Sequence, residues 1–172
     1  NRSEHLALIK GTWTKEDAVM VKVHSSCMTG DIFGSYRCDC GSQLHEAMKM
    51  IEKAGQGVII YLNQEGRGMG LFNKIKAYNL QEHGRDTVEA NLALGFRDDE
   101  RDYAIAAHML QSLGISSVHL MTNNPTKVQQ LEQYGVKVSS RLPHLLPPNP
   151  HNRFYLETKA QRSGHFIDFT GL

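Results

Sequence analysis

Cysteine is scarce in this 172-residue chain, which contains only three, and tryptophan occurs once. Three thiols are too few, and odd in number, for a fold held together by disulfides. The chain also lacks any apolar run near the roughly 18–20 residues that a membrane span requires, and it has no amino-terminal segment of the secretory type. An excess of one charge is missing as well, because 19 Lys and Arg oppose 18 Asp and Glu. This balance excludes the strongly basic field of a general nucleic-acid binder, and we expect neither a nucleic-acid nor a membrane partner.

The rest of the composition is that of an ordinary globular domain, with 40% hydrophobic and 22% charged residues. At this length about 70% of the unfolded surface can be buried, so one sizeable core is possible. We find no internal repeat and no linker of domain length, and we predict one domain over residues 1–172 with a polar, proline-rich tail from about residue 143. The chain begins with Asn1 and not with Met, which predicts that it is a piece of a longer protein.

Short apolar stretches alternate with segments of helical period along most of the chain. We predict strands at 6–10, 19–23, 58–62 and 117–121 and from 136 onward, and helices at 43–54, 71–82, 101–113, 124–135 and 153–162. The polar segment 86–100 shows no clear period, so we assign no element to it. Strands that alternate with helices indicate an α/β fold, here a layered α/β/α domain with a mixed sheet and a loop-borne zinc site.

The three cysteines fall within fourteen residues, in the pattern Cys27-x10-Cys38-x-Cys40. Thiolates are soft ligands that suit zinc, and three protein ligands leave the fourth position to water, as in catalytic zinc sites. His24 as a fourth ligand would instead close the site and make it structural. A redox Cys-x-Cys and a chance meeting in a loop are the alternatives without metal. A cluster of this kind is typical of a reducing compartment, so we expect a cytoplasmic protein.

A glycine-rich turn at 65–70 follows a predicted strand and precedes a predicted helix. Backbone amides in such a turn can approach a phosphate group, and a simple tight turn is the alternative. Arg67, Lys74 and Lys127 could meet a polyphosphate, although each also fits a solvated surface charge. Taken together, these features predict a zinc enzyme that acts on a phosphorylated small molecule.

Several sequence blocks, in their order along the chain, resemble the GTP cyclohydrolase II family. The resembling blocks are VHS at 23–25, CMTGD at 27–31, RCDCG at 37–41, QEGRG at 64–68, NKIKAY at 73–78, DTVEAN at 86–91, DERD at 99–102 and TNNP at 122–125. The resemblance covers nearly all of residues 5–166. So many separate blocks at compatible spacing exclude chance agreement.

The resemblance implies the first step of riboflavin biosynthesis. In that reaction GTP is hydrolysed to 2,5-diamino-6-(5-phosphoribosylamino)pyrimidin-4(3H)-one, formate and pyrophosphate, with one Zn²⁺ per chain and with Mg²⁺ on the pyrophosphate. It further implies that Cys27, Cys38 and Cys40 hold the zinc, and that zinc-bound water attacks C8 of the guanine ring.

The same resemblance assigns roles to further residues. Asp99 would be the proton acceptor, Arg101 the nucleophile toward the α-phosphate, and Tyr78 a participant in ring opening and deformylation. Since arginine is essentially never deprotonated in proteins, charge stabilisation by Arg101 with Asp99 activating a water is chemically easier. The resemblance implies that the substrate-binding residues are Lys22, Val23, His24, Ser25, Ser26, Gln43, Glu65, Gly66, Arg67, Thr87, Thr122 and Lys127.

The family resemblance also implies partners: a homodimer, and fusion to a dihydroxybutanone-phosphate synthase domain. Three positions depart from the family's usual residues, since Lys22 and Asn63 stand where Arg is common and Ser26 stands where Glu is common. Lys in place of Arg loses the bidentate fork that matches a phosphate. These changes leave open a catalytically impaired nucleotide-binding or scaffolding domain, and a structural zinc module is the third alternative.

Overall fold

Five β-strands form one mixed sheet in the computed structural model, which describes residues 3–97 and 99–167. The strands are β1 (Leu6–Lys10), β2 (Ala18–Ser25), β3 (Gly57–Leu62), β4 (Ser117–Met121) and β5 (Lys137–Leu142). Their order across the sheet is β1-β3-β2-β4-β5. The first two strands in that order pair antiparallel, whereas β2, β4 and β5 run parallel to one another. The mixed sheet predicted from the sequence is confirmed.

Six α-helices occur in the part of the chain that the structure describes. They are α1 (Cys40–Ala54), α2 (Leu71–Glu82), α3 (Thr87–Ala93), α4 (Ala104–Ser112), α5 (Pro125–Gln133) and α6 (Arg153–Arg162). Helices α2 and α6 have the predicted bounds, and α5 begins as its sequence predicts, with the Asn124 side chain accepting from Thr126 N at 2.9 Å. Helix α3 lies in the segment to which we assigned no element, and α1 begins three residues before its predicted start.

Helices cover both faces of the sheet. Because side chains alternate along a strand, β3 directs Val58 and Ile60 into one hydrophobic cluster and Ile59 into another. The first cluster includes Leu110 of α4, and the second includes Ile51 of α1. The buried strands are rich in Val, Ile and Leu, as expected when both faces are covered. The layered α/β/α arrangement is therefore confirmed.

The chain divides into two compact units. Within the described residues, unit 1 comprises 3–24, Gln43–Asn63 and Asp102–Leu145, and it contains nearly all of the sheet with α4, α5 and most of α1. Unit 2 comprises Ser25–Ser42, Gln64–Arg101 and residues 146–167, and it contains α2, α3, α6 and the three cysteines. Over residues 3–97 and 99–167, the helices are too short or too polar to cross a membrane.

Candidate metal centre and substrate residues

The three cysteines of unit 2 meet at one point, although they come from different local structures. Cys27 precedes a π-helical turn at Met28–Ile32, and its backbone N–H donates to the Asp31 carboxylate at 2.9 Å. Cys40 is the first residue of α1. The three Sγ atoms all lie within 4.8 Å of one another, and those of Cys27 and Cys38 are 3.7 Å apart. This spacing lets one metal ion bind all three thiolates.

Gly30 leaves the space that brings the thiols together. A Cβ atom at this position would lie 2.9 Å from the Cys38 Sγ and 3.2 Å from the Cys27 Sγ. A Cβ on Gly41 would in turn lie 2.2 Å from the Gly30 carbonyl oxygen. Both positions therefore require glycine for the close approach of the backbone to the cluster. The soft donor set and the shaped cradle fit a zinc ion.

The electrostatic interactions among the three thiols also favour the binding of a cation. Hydrogen bonds from the Cys38 and Cys40 thiols, with a further one from Lys74, hold the pKa of Cys27 far below its ordinary value. The hydrogen bond to Cys27 raises the pKa of Cys38 to about 11. Hydrogen bonds to Cys27 and Cys38, together with burial, raise the pKa of Cys40. Three thiolates at this distance repel one another. A divalent metal would remove that repulsion and favour all three in the ionised form.

Lys74 of α2 is buried beside the cysteines, and not in a position typical of a solvated lysine. Its Nζ donates to the Cys27 Sγ at 3.0 Å, to Thr29 Oγ1 at 2.9 Å and to Glu65 Oε1 at 2.9 Å. The other oxygen of Glu65 accepts from the backbone N–H of Met28 at 2.6 Å. In the structure Lys74 therefore contacts Cys27, a candidate metal ligand, where the sequence suggested contact with a polyphosphate. Glu65 joins the cysteine loop to the glycine-rich turn.

Tyr78 lies one turn after Lys74 on α2. The guanidinium carbon of Arg37 lies 4.5 Å from the centre of the Tyr78 ring, and Arg37 Nη1 donates to Glu82 at 2.6 Å. Burial is the largest cause that raises the pKa of Tyr78 to about 12. The phenol therefore stays protonated at neutral pH and can donate a hydrogen bond or a proton.

The glycine-rich turn is a short 3₁₀ turn at Gly66–Gly68, and its amides are used within the turn. The backbone N–H of Gly68 and of Gly70 both donate to the Glu65 carbonyl, at 3.1 Å and 2.9 Å. Gly66 N–H donates to the Glu65 carboxylate at 2.9 Å. This arrangement favours the tight turn over the phosphate cradle that was its alternative.

The backbone of Arg67 has φ = 56°, which lies in the left-handed region that residues other than Gly rarely adopt. Its carbonyl oxygen accepts from Glu100 N–H at 3.0 Å, which joins the turn to the segment that carries Asp99 and Arg101. Such backbone conformations persist where the surrounding structure imposes them, and they cluster at functional sites. Arg67 therefore carries a backbone strain that a glycine at this position would not have.

Comparison of Arg67→Gly with Arg67→Ala separates the backbone of Arg67 from its side chain. Both variants lose the guanidinium, so we expect the same loss of affinity for GTP, the substrate that the family resemblance implies, by about 1–3 kcal/mol for a charged hydrogen-bonding group. Only Ala keeps the left-handed strain, so the Gly variant should have the higher free energy of unfolding, by about 1 kcal/mol. Urea unfolding and calorimetric titration measure the two quantities. Equal stability of the two variants would contradict the assignment of strain.

Asp99 and Arg101 form a bidentate ion pair at the end of this segment. Arg101 Nε donates to Asp99 Oδ1 at 2.8 Å, and Nη2 donates to Oδ2 at 2.5 Å. Burial works to raise the pKa of Asp99, but the hydrogen bonds and charge of Arg101 outweigh it, and Arg67 adds to them, so the pKa is lowered. Both partners are therefore charged at neutral pH, with the guanidinium held in a fixed orientation.

Thr87 is the first residue of α3 and is buried. Asp86 caps this helix by accepting from Glu89 N–H at 2.8 Å, while the Glu89 carboxylate accepts from Asp86 N–H at 3.1 Å. Arg162 of α6 donates to the same Asp86 at 2.9 Å. The capping box fixes Thr87 at the helix N-terminus, where backbone N–H groups favour an anion.

Ser25 and Ser26 begin unit 2. The Ser25 hydroxyl accepts from Gln64 Nε2 at 3.1 Å. The Ser26 hydroxyl is buried and has no hydrogen-bond partner among the described residues. A carboxylate, which the family often carries at this position, would be larger and charged there, and nothing in the structure explains the serine.

In unit 1 the predicted substrate residues gather where the parallel strands end. Lys22 of β2 is buried, and its Nζ donates to Gln43 Oε1 at 2.8 Å. Lys127 of α5 is also buried, and its Nζ donates to the Val23 carbonyl at 2.7 Å. Thr122, directly after β4, accepts from the Asn124 N–H at 3.0 Å. In open parallel sheets this edge is the usual place for ligand binding.

His24 lies at the end of β2 in unit 1. Its ring stacks on that of Tyr61, with centroids 5.4 Å apart and an interplanar angle of 20°. The metal-ligand cluster that the described residues assemble consists of the three cysteines. His24 is not part of that cluster, so the alternative of a fourth zinc ligand gains no support from it.

Sequence reasoning did not find the pair Asp39–Lys159. Lys159 of α6 donates from Nζ to Asp39 Oδ1 at 3.1 Å, and both side chains are largely buried. Burial works against the charge on Lys159, but Asp39 outweighs it, so the pKa of Lys159 is raised. The partners are 120 residues apart, so no spacing pattern could have joined them. The position of Asp39 between two cysteines was the one available signal.

Comparison with known proteins gives one consistent result. The family model for GTP cyclohydrolase II matches residues 1–143. The riboflavin biosynthesis protein RibBA of Cytophaga hutchinsonii is 62% identical over 163 residues, 95% of this chain and 40% of that protein. RibBA proteins of Parabacteroides distasonis and Bacillus mycoides are 56% and 53% identical, over 97% and 96% of this chain and 41% and 42% of theirs. The chain thus spans about two fifths of the length of the curated relatives that it matches. The sequence blocks, the thiol cluster and this match agree, and the chain belongs to the GTP cyclohydrolase II family.

Proposed function

We propose that this chain hydrolyses GTP to the diaminopyrimidine phosphate, formate and pyrophosphate, as the first step of riboflavin biosynthesis in the cytoplasm. The observation that carries the proposal is the convergence of three cysteine thiols within 4.8 Å in a chain matched by the GTP cyclohydrolase II model. The lengths of the RibBA relatives support a further proposal, that the chain is one domain of a longer protein that also contains a dihydroxybutanone-phosphate synthase domain.

Cys27, Cys38 and Cys40 would hold one zinc ion. Zinc bound there would supply a Lewis acid that makes water nucleophilic at neutral pH. Tyr78, whose phenol remains protonated, would donate to the guanine ring or to the leaving formyl group. Lys74 would neutralise part of the charge of the thiolates, because its ammonium lies 3.0 Å from the Cys27 sulfur.

Arg101 and Asp99 would act at the phosphates. A fixed guanidinium stabilises the negative charge that develops on phosphate oxygens when the bond between the α- and β-phosphates breaks. The ionised Asp99 carboxylate would accept a proton from the attacking water and orient Arg101 through the two hydrogen bonds. Because Arg101 stays protonated, we favour this electrostatic role over a covalent guanylyl-arginine. Mg²⁺ on the pyrophosphate would share in neutralising the charge.

The residues proposed to bind GTP combine charged, amide and hydroxyl groups with backbone. They are Lys22, Val23, His24, Ser25, Ser26, Gln43, Glu65, Gly66, Arg67, Thr87, Thr122 and Lys127. The buried ammonium groups of Lys22 and Lys127 donate to Gln43 Oε1 at 2.8 Å and to the Val23 carbonyl at 2.7 Å, and these hydrogen bonds orient them. Preorganised donors of this kind lose little orientational freedom when a ligand binds.

The decisive experiment mixes the purified chain with GTP, Zn²⁺ and Mg²⁺ and quantifies the products by mass spectrometry. We expect diaminopyrimidine phosphate, formate and pyrophosphate in equal amounts. A folded, zinc-loaded chain that leaves GTP unchanged would overturn the proposed enzymatic activity and favour the nucleotide-binding or scaffolding alternative. X-ray absorption that showed four protein ligands on the zinc would favour a structural zinc module.

We further propose that the active form is a homodimer. Phe72 and Ile75 of α2 are 73% and 49% exposed, and with Leu94 they line an apolar groove of unit 2. Apolar area of this kind is stabilised when a partner covers it. Sedimentation should give about twice the chain mass of 19.3 kDa, and Phe72→Glu should return the mass to that of one chain. A monomeric parent chain would contradict the proposal.

A further inference from the structure

The pair of Lys159 and Asp39 lies outside the catalytic roles described above, yet Asp39 is adjacent in sequence to two of the proposed metal ligands. Asp39 stands between Cys38 and Cys40, and its carboxylate accepts from the Lys159 ammonium at 3.1 Å. The Lys159 and Asp39 side chains are only 13% and 10% exposed. A buried charge is retained only when it is paired, so each partner needs the other.

Helix α6 is held firmly enough to fix this pair. Leu156 and Thr158 are 4% and 5% exposed, and the Lys159 ammonium also lies 4.6 Å from the centre of the Tyr155 ring. One turn further, Arg162 donates to Asp86 at 2.9 Å, the residue that caps α3. The helix therefore joins two separate parts of unit 2 through two charged contacts.

The Cys38-Asp39-Cys40 segment needs such support. Cys38 and Cys40 directly flank Asp39 in the sequence. Rotation of the Asp39 backbone therefore moves the sulfur atoms of both cysteines relative to each other. Residues that orient metal ligands are worth about 10–100-fold in metal affinity when they are removed. We propose that α6 is a positioning element of the metal centre, in which Lys159 acts through Asp39 to set the orientation of Cys38 and Cys40.

This inference rests on the proposed zinc centre but not on GTP hydrolysis, so its test is metal retention. Lys159→Met, in the zinc-loaded full chain, should bind zinc about 10–100-fold more weakly in competition with a chromogenic chelator. Asp39→Asn should have a similar effect, and the double variant should be no worse than either alone because the two residues act as a pair. The Co²⁺ form should show shifted thiolate charge-transfer bands in each variant.

Arg153→Met provides the matched control, since Arg153 lies on the same helix, is 63% exposed and pairs with Glu157. Its zinc affinity and its Co²⁺ spectrum should equal those of the parent. A folded Lys159→Met with unchanged affinity and spectrum would overturn the inference. If that variant does not fold, the near-isosteric Asp39→Asn decides, and unchanged zinc affinity there would also overturn it. A parent chain that binds no zinc would instead contradict the proposed metal centre, and with it the proposed function.

Discussion

Replacement of Cys27 by Ser is expected to eliminate zinc binding and to reduce formate release from GTP by about a thousandfold or more. A serine hydroxyl is a poor ligand in place of a thiolate, and only three protein donors are brought together by the described residues. Metal catalysis contributes several kcal/mol to such hydrolyses, and each 1.4 kcal/mol is about tenfold in rate. Cys27 also accepts a hydrogen bond from Lys74, so in Cys27→Ser the Lys74 ammonium loses its sulfur acceptor as well.

Zinc content by elemental analysis and formate release measured on the same samples would test this expectation. Met28→Leu is the matched control, because Met28 is the next residue, is 39% exposed, and donates to Glu65 through its backbone N–H. The control should keep its zinc and its rate. A Cys27→Ser chain that released formate at the parent's rate would refute the metal centre as the place of ring opening. Pyrophosphate still released with GMP would show that the phosphate step is separable.

Arg101→Met should reduce the rate of pyrophosphate release by about a hundredfold to a thousandfold, the cost of one preorganised group that stabilises developing charge. Arg101→Lys should recover only part of the rate, because an ammonium cannot make the two parallel hydrogen bonds to Asp99. Arg97→Met is the control, since the Arg97 side chain is 78% exposed and pairs with Glu100. It should release pyrophosphate at the parent's rate, and a similar loss in the control would contradict a specific role for Arg101.

The Arg101→Met variant should also change the pH dependence of the reaction. In the parent, Arg101 lowers the pKa of Asp99 against the effect of burial, so the carboxylate is ionised at neutral pH. The stability that this pair contributes is fully present above the unfolded pKa of about 3.9 and is lost as the pH falls through the lower folded pKa. Without the Arg101 guanidinium, burial is opposed only by the backbone N–H of residue 101 and the charge of Arg67, so the pKa of Asp99 rises. The acid limb of kcat/KM should therefore move to higher pH in Arg101→Met, and an unmoved limb would show that Asp99 is not the proton acceptor.

Local sequence was enough for most of the elements. The strands Leu6–Lys10 and Ser117–Met121 and the helices Leu71–Glu82 and Arg153–Arg162 have the predicted bounds. Alternating or helically spaced apolar residues mark them, and Gly or Pro marks several of their ends. Helix α3 was missed because its seven residues make barely two turns, too few to show a period. The capping box at Asp86 and Glu89 was the signal that could have found it.

The candidate site was predictable where chemistry is specific to residue type. Three cysteines within fourteen residues predicted a metal ligand set, and the structure brings their sulfur atoms within 4.8 Å. The roles of single charges were not predictable in this way. Lys74 follows the glycine-rich turn in sequence, which suggested a phosphate contact, but the fold places its ammonium on a cysteine 47 residues away.

By itself, the sequence determined the α/β class, the positions of the main elements, the candidate metal-binding cysteines and the family, because each depends on local pattern or on residue type. The tertiary structure alone decided which charged side chain meets which partner, because those contacts join residues far apart in the chain. Lys159 reaches Asp39 across 120 residues, and Lys127 reaches the Val23 carbonyl across 104. Such pairings follow from how buried charges must be satisfied once the core has packed, and no local spacing records them.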